Sequence, residues 1–245
     1  MDTVKQAVLA RLRGEIMALG GLPAPVQRIR LAGGLEALQP HFPHGSFPKG
    51  AVHELLCRQP EEVAGTMGFV SGLLSTCLGS SGVVLWVCQS HQVFPPALVS
   101  FRLAPHQVIF IRPGLQRQAA WVVEEALRCS SLTAVVADLG QLDFALSRRL
   151  QLAVEQSRTT GFVLNTAARP AAHTACVSRW RIQQLPSQWQ PWMPGVGRPR
   201  WQVQLLKMRN GKPGSWQVEW THDGFRVLPP AADARPLAEV PRKVG

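Results

Sequence analysis

Two stretches of the chain hold side chains that could do chemistry. The first is Cys57-Arg58-Gln59-Pro60-Glu61-Glu62-Val63-Ala64-Gly65-Thr66, which follows a short predicted strand over 51–56. In an open parallel sheet, ligands bind beyond the carboxyl ends of the strands. This loop is therefore where a nucleotide-hydrolysing enzyme would cradle phosphate. Such a loop needs glycines whose backbone amides wrap the anion, and a closing Gly-Lys-Ser/Thr. Arg58, Gly65 and Thr66 are the nearest approach to that pattern, and Glu61 and Glu62 would repel a triphosphate. Further on, the apolar run Leu132-Thr133-Ala134-Val135-Val136-Ala137 ends in Asp138. That is the shape of a magnesium-holding motif, although an acid at a strand end serves equally well as a structural residue.

The second stretch is basic. Residues 1–155 carry a net charge of +2, residues 156–218 carry +9 with no acidic residue, and 219–245 are neutral, which accounts for the overall +11. Charge concentrated in this way steers a polyanion or an acidic protein surface. Within the stretch, Arg179-Trp180-Arg181 and Arg198-Pro199-Arg200-Trp201 set guanidinium groups beside indoles, and Lys207, Arg209 and Lys212 surround Asn210-Gly211. Six of the eight tryptophans fall between 180 and 220. Arginine with aromatic residues suits phosphate contact and base stacking in single-stranded nucleic acid. It equally suits anchors at a protein interface, or indoles packing a small sheet with arginines at its flanks.

Other reactive groups form no constellation. Ser46, Ser71 and Ser147 stand in no nucleophile elbow, and His53, His91, His106, His173 and His222 are scattered, with His53 reading as a core histidine inside a strand. The five cysteines are odd in number and make no CxxC pair, and His41 and His44 have no second ligand pair. No catalytic residue, metal or cofactor is expected. No run approaches 18 apolar residues, and the N-terminus lacks the layout of a signal peptide, so a cytoplasmic protein without a membrane span is expected.

The elements that must position these groups alternate regularly. Strands are predicted at 51–56, 83–88, 108–111, 132–137 and 162–164. Helices at about 62–78, 116–129 and 144–157 follow three of them, with a short one over 96–101. That rhythm predicts an α/β fold, a mostly parallel β-sheet flanked by helices with right-handed crossovers. Strands at 177–183, 201–207 and 216–220, the last two joined across Asn210-Gly211, predict a small antiparallel C-terminal extension. The expected organisation is an amphipathic helix within 1–21 (its periodic stretch 3–19), a turn-rich linker over 22–50, the α/β core over 51–170, the basic β extension over 171–228 and a flexible tail over 229–245.

Several ordered segments resemble a known family. They are Phe94-Pro95-Pro96-Ala97-Leu98, Glu124-Glu125-Ala126-Leu127-Arg128-Cys129 and Ser147-Arg148-Arg149-Leu150-Gln151-Leu152-Ala153-Val154-Glu155. Ser178-Arg179-Trp180-Arg181, Leu205-Leu206-Lys207-Met208-Arg209-Asn210-Gly211 and Trp216-Gln217-Val218-Glu219-Trp220 continue the series. Together, over about residues 30–228, they are similar to the bacterial mutagenesis accessory family ImuA. The resemblance implies a RecA-like core. It also implies an accessory role in SOS-induced translesion synthesis, beside a catalytically inactive Y-family polymerase relative, an error-prone replicative-type polymerase and RecA. Single-stranded DNA is compatible with the basic segment. The family is also described as SulA-like, which keeps a division inhibitor of a tubulin-like protein as an alternative, with a divergent RecA-like ATPase as a third. Against RecA, the loop at 57–66 replaces the phosphate loop, and Gln89-Ser90 falls near the place of a water-activating glutamate. Asp138 matches the aspartate of the second nucleotide motif, and Asn165 a strand-end amide. The resemblance thus implies a degenerate nucleotide site without hydrolysis.

Overall fold

The computed structural model describes residues 31, 33–77, 82–88, 93–167, 173–187 and 197–229. Its strands are β1 (Val52–Leu56), β2 (Val84–Val87), β3 (Val108–Ile111), β4 (Ala134–Asp138), β5 (Thr160–Asn165), β6 (Ser178–Leu185), β7 (Arg200–Met208), β8 (Gly214–Thr221) and β9 (Gly224–Leu228). Three α-helices, α1 (Pro60–Cys77), α2 (Gln116–Arg128) and α3 (Phe144–Ser157), accompany 3-10 segments at Glu36–His41, Pro43–Gly45, Pro95–Phe101 and Pro105–Gln107. The strands form one nine-stranded sheet in the order β3-β2-β4-β5-β1-β6-β7-β8-β9. Strands β1 to β6 pair in parallel, and from β6 to β9 the pairing is antiparallel. The predicted mostly parallel sheet with a small antiparallel extension is what forms. The extension is hydrogen-bonded into the same sheet, because β6 runs alongside β1 from His53↔Ser178 to Leu56↔Arg181.

Burial on both faces explains the continuous apolar runs. β1 and β2 are buried at every position, the pattern of strands covered on two sides. On one face, α1 and the 3-10 segments pack Val63, Met67, Val70 and Leu74 against Leu55, Trp86, Trp180, Trp201 and Phe225. On the other, α2 and α3 place Val123, Leu127, Leu150 and Val154 over Val52, Val135 and Val163. α1 begins with Pro60 and carries Glu61 and Glu62 in its first turn, where a missing N–H costs nothing and negative charge is favoured. α3 is capped by Asp143, whose carboxylate accepts the Leu146 N–H at 2.7 Å. A Cβ on Gly72 would stand 2.7 Å from Phe225 and 2.8 Å from Trp220. Only glycine lets α1 lie this close to the extension. Asn210, at φ +57°, makes the expected turn between β7 and β8.

Two parts of the molecule differ from the sequence expectation. Leu31, Leu35, Leu38, Phe42 and Phe47 are all buried in the core, so the stretch expected to be a linker contributes to the core over its described part. It is irregular because Pro40, Pro43 and Pro48 interrupt it. β9, which lies inside the extension expected over 171–228 but outside its predicted strands, completes the sheet through Trp220↔Phe225. The helix predicted within 1–21, and residues 230–245, lie outside the described residues.

Candidate functional site

At the carboxyl ends of β1, β4 and β5, the loop after β1 closes on its own side chains. Glu62, in the first turn of α1, accepts the Arg58 backbone N–H at 2.6 Å and the Arg181 guanidinium at 2.7 and 3.1 Å. It is buried, and burial alone would raise its pKa, but the Arg58 N–H, Arg181 and the Gln59 backbone hold it below the usual 4.5. The helix N-terminus and a guanidinium thus surround an internal carboxylate where a nucleotide enzyme would hold phosphate. Thr66, which would face a metal in such an enzyme, is fully buried with its hydroxyl 3.5 Å from Cys57 Sγ. Gly65 is packed against Trp201, and the Arg58 side chain is exposed. Burial, reinforced by Glu62 and Asp138 and opposed by Thr66, pushes the Cys57 thiol up to about 11. It stays protonated and un-nucleophilic at neutral pH.

The remaining strand-end residues are held apart from one another. The Asp138 carboxylate accepts the Gly140 N–H at 3.0 Å, closing the turn after β4. Asn165 is buried and donates Nδ2–H to Glu54 at 2.8 Å, while its Oδ1 has no hydrogen-bond partner. Gln89 lies outside the described residues. Among the described residues, no group of three or more His, Cys, Asp or Glu is arranged to hold a metal ion.

Sequence reasoning missed Glu54. It is fully buried in the middle of β1 and collects Asn165 Nδ2 at 2.8 Å, Thr174 Oγ1 at 2.6 Å and Arg179 Nε at 2.8 Å. An acid inside an apolar strand requires such partners, and that requirement was the available signal. His53, beside it, forms a closed chain. Trp180 Nε1–H donates to Ser178 Oγ at 2.6 Å, Ser178 lies 2.6 Å from His53 Nδ1, and His53 Nε2 lies 2.8 Å from the Pro48 carbonyl. The neutral imidazole satisfies both ends if Nε2 carries the proton. Burial lowers its pKa to about 4, against the raising effect of the Pro48 carbonyl. It is the core histidine the sequence suggested.

The basic stretch is divided by the alternation of its strands. Trp180 and Trp201 are 4% and 2% exposed and lie on the core face, so neither indole presents a surface for stacking. Arg179, Arg181 and Arg200 emerge on the opposite face, and each meets a buried carboxylate of this chain: Glu54, Glu62 and Glu219. Arg198 stands 3.8 Å from Glu219 and is half exposed. Lys207 and Arg209 donate to the carbonyls of Thr174 and Ala175 at 3.3 and 3.0 Å, and the Lys212 side chain is exposed beyond the turn. Arg198 and Arg200 therefore sit at one end of β7 and Lys207, Arg209 and Lys212 at the other, roughly 26 Å apart at strand rise. The structure brings together two separate groups, not one nine-residue site.

No family model matches the chain. Protein ImuA of Caulobacter vibrioides strain NA1000 / CB15N is 31% identical over 228 residues, covering 86% of this chain and 92% of that protein. The same figures hold for Protein ImuA of Caulobacter vibrioides strain ATCC 19089 / CIP 103742 / CB 15. At that identity and coverage, the chain belongs to the ImuA family.

Proposed function

We propose that this chain is a non-catalytic, RecA-like accessory protein of SOS-induced translesion synthesis. It joins an inactive Y-family polymerase relative, and the error-prone polymerase in the same complex, to RecA on damaged DNA. The observation that carries the reading is the loop after β1. Phosphoryl transfer needs a neutralised phosphate and a positioned water. Here the helix N-terminus and Arg181 are taken up by Glu62, and the Thr66 hydroxyl is buried against Cys57. The family membership supports the same reading. The partner-facing charges are those that stay exposed or half exposed, namely Arg198, Lys207 and Lys212, in the extension.

Two measurements test this. ATP hydrolysis by the purified chain, with and without single-stranded DNA, stays at background; turnover abolished by Asp138→Asn would overturn the non-catalytic reading. Capture of RecA and the polymerase relative from damaged cells falls when Arg198, Lys207 and Lys212 are reversed to Glu in a variant that melts as the wild type does. Undiminished capture would remove the extension from the partner surface.

A further inference from the structure

A cavity of about 450 Å³ opens between the 3-10 segment Pro95–Phe101, the entry to β7 and the β8–β9 turn. Its volume is within the range of small-ligand sites, and it shares no lining residue with the strand-end loop. Arg102, Arg198 and His222 line it from three separate segments, with Trp220 and Thr221 forming one wall.

The three basic groups are held differently. Arg102 adopts a left-handed backbone, φ +61°, and its guanidinium donates to the carbonyls of His222 and Asp223. These carbonyls fix the guanidinium without neutralising its charge, and they engage two of its five N–H donors. Arg198 approaches Glu219 Oε2 only to 3.8 Å, whereas Arg200 holds Oε1 at 2.8 Å. Glu219 is thus answered chiefly by Arg200, and Arg226 stands opposite it on β9. The Arg198 charge is surplus. The His222 side chain is 96% exposed, with the Asp223 carboxylate 3.4 Å from its ring. Among the lining residues two are arginines, Arg102 and Arg198, and none is acidic.

The apolar part of the site is small. The Trp220 indole N–H is committed to the Ser100 carbonyl at 2.8 Å and the side chain is 7% exposed. It acts as a wall and not as a stacking platform. Val99, 56% exposed, and Pro199 supply the open apolar surface.

We propose that this cavity binds a nucleotide unit, with the phosphate held between Arg102 and Arg198 and the sugar or base resting on Val99 and Pro199. Planar guanidinium pairs suit phosphate oxygens through charge-assisted hydrogen bonds. Because the indole offers no face, recognition is led by phosphate, tolerant of base identity and weakened by salt. The unit comes from a free nucleotide or from single-stranded DNA. The site does not depend on the adaptor role proposed above.

The test is equilibrium binding of the full chain to thymidine 5′-monophosphate, thymidine and an oligothymidylate. The monophosphate binds and thymidine does not. Arg198→Gln weakens binding of the phosphate-bearing ligands about tenfold with unchanged melting temperature. Lys212→Gln, at the far end of β7, leaves monophosphate binding as it was. An oligothymidylate that binds more tightly than the monophosphate, with equal sensitivity to Arg198→Gln, identifies the strand as the source. Equal affinities identify the free nucleotide. The proposal is overturned if neither phosphate ligand binds, if thymidine binds as well as its monophosphate, if Arg198→Gln has no effect, or if Lys212→Gln costs as much. Loss of monophosphate binding with intact capture of RecA would separate this site from the adaptor surface.

Discussion

The carboxyl ends of the parallel strands and the antiparallel extension handle charge in different ways. At the strand ends the chain answers its own ions. Glu54 takes Arg179, Asn165 and Thr174, and Glu62 takes Arg181 and the Arg58 amide. Both acids are buried, and both guanidiniums come from β6. In the extension the surplus is left outside. Lys207, Lys212 and Arg226 are exposed, and Arg198 is half exposed. The crevice where an α/β protein usually binds its ligand is thus closed by charge from the extension, and the proposed partner surface is drawn from the charges that remain. The same strand, β6, supplies both closing guanidiniums and pairs with β7, which carries the extension onward.

The sharpest way to break this comparison is to remove Glu54. A buried ion pair contributes little over an apolar replacement, but deleting one partner strands the other charge. Glu54→Leu removes the buried carboxylate that offsets the Arg179 charge and is expected to cost about 3–5 kcal/mol in denaturant unfolding. The double variant Glu54→Leu, Arg179→Met should recover most of it. If Glu54→Leu alone stays within 1 kcal/mol of the wild type on this order-of-magnitude scale, charge closure is not what holds β6 to β1.

Trp201→Ala tests the other side of β6 and β7. The indole packs among Phe69, Phe101 and Phe225, and a buried Trp→Ala change costs about 3–5 kcal/mol. The variant should lose stability and any ligand affinity together. A stable Trp201→Ala protein that had lost only nucleic-acid binding would restore the indole as a stacking group.

A third expectation separates two acid-sensitive groups by pH. His53 titrates at about 4 when folded, against 6.5 when unfolded. Between those values the unfolded chain takes up a proton that the folded chain refuses, so stability falls as pH drops from 6.5 towards 4. The loss is on the order of 3 kcal/mol. Glu62 acts lower. Its folded pKa lies beneath 4.5, so its contribution is present above that value and is lost as pH falls below it. His53→Gln should flatten the upper window and leave the lower one. An unchanged slope between pH 6.5 and 4.5 would assign the acid sensitivity elsewhere.

What could be read in advance follows from range along the chain. Runs such as Val83 to Cys88 are continuously apolar because both faces of the sheet are covered, and their lengths mark strands directly. The Arg179-Trp180-Arg181 motif was equally visible, but its meaning was not. Two-residue alternation sends Trp180 to the core and the arginines to the other face, so adjacency in sequence separates them in space. Glu54 and Arg179 lie 125 residues apart, and Arg102 and His222 lie 120 apart. Neither pair can be found without knowing that the chain returns to place β6 beside β1 and to bring the β8–β9 turn up to the segment at 95–101. β9 was hidden because five residues, Gly-Phe-Arg-Val-Leu, carry too little pattern to stand out before a Pro-rich tail.

The smallest expected effect sharpens the distinction between stored and surplus charge. Lys212→Glu alters an exposed side chain and should change unfolding free energy by no more than about 0.5 kcal/mol, whereas Arg226→Glu sets a carboxylate opposite Glu219 across the β8–β9 pair and should cost about 1 kcal/mol. The same reversal at Arg181 sets a new carboxylate against Glu62, 2.7 Å from the present guanidinium, and should be felt as a folding defect. Each surface reversal removes a positive charge and adds a negative one, so both should lower the affinity for a single-stranded oligonucleotide and reduce the slope of that affinity against salt. If the surface variants were as destabilising as Arg181→Glu, the charge of the extension would all be structural, and no part of it would be left for a partner.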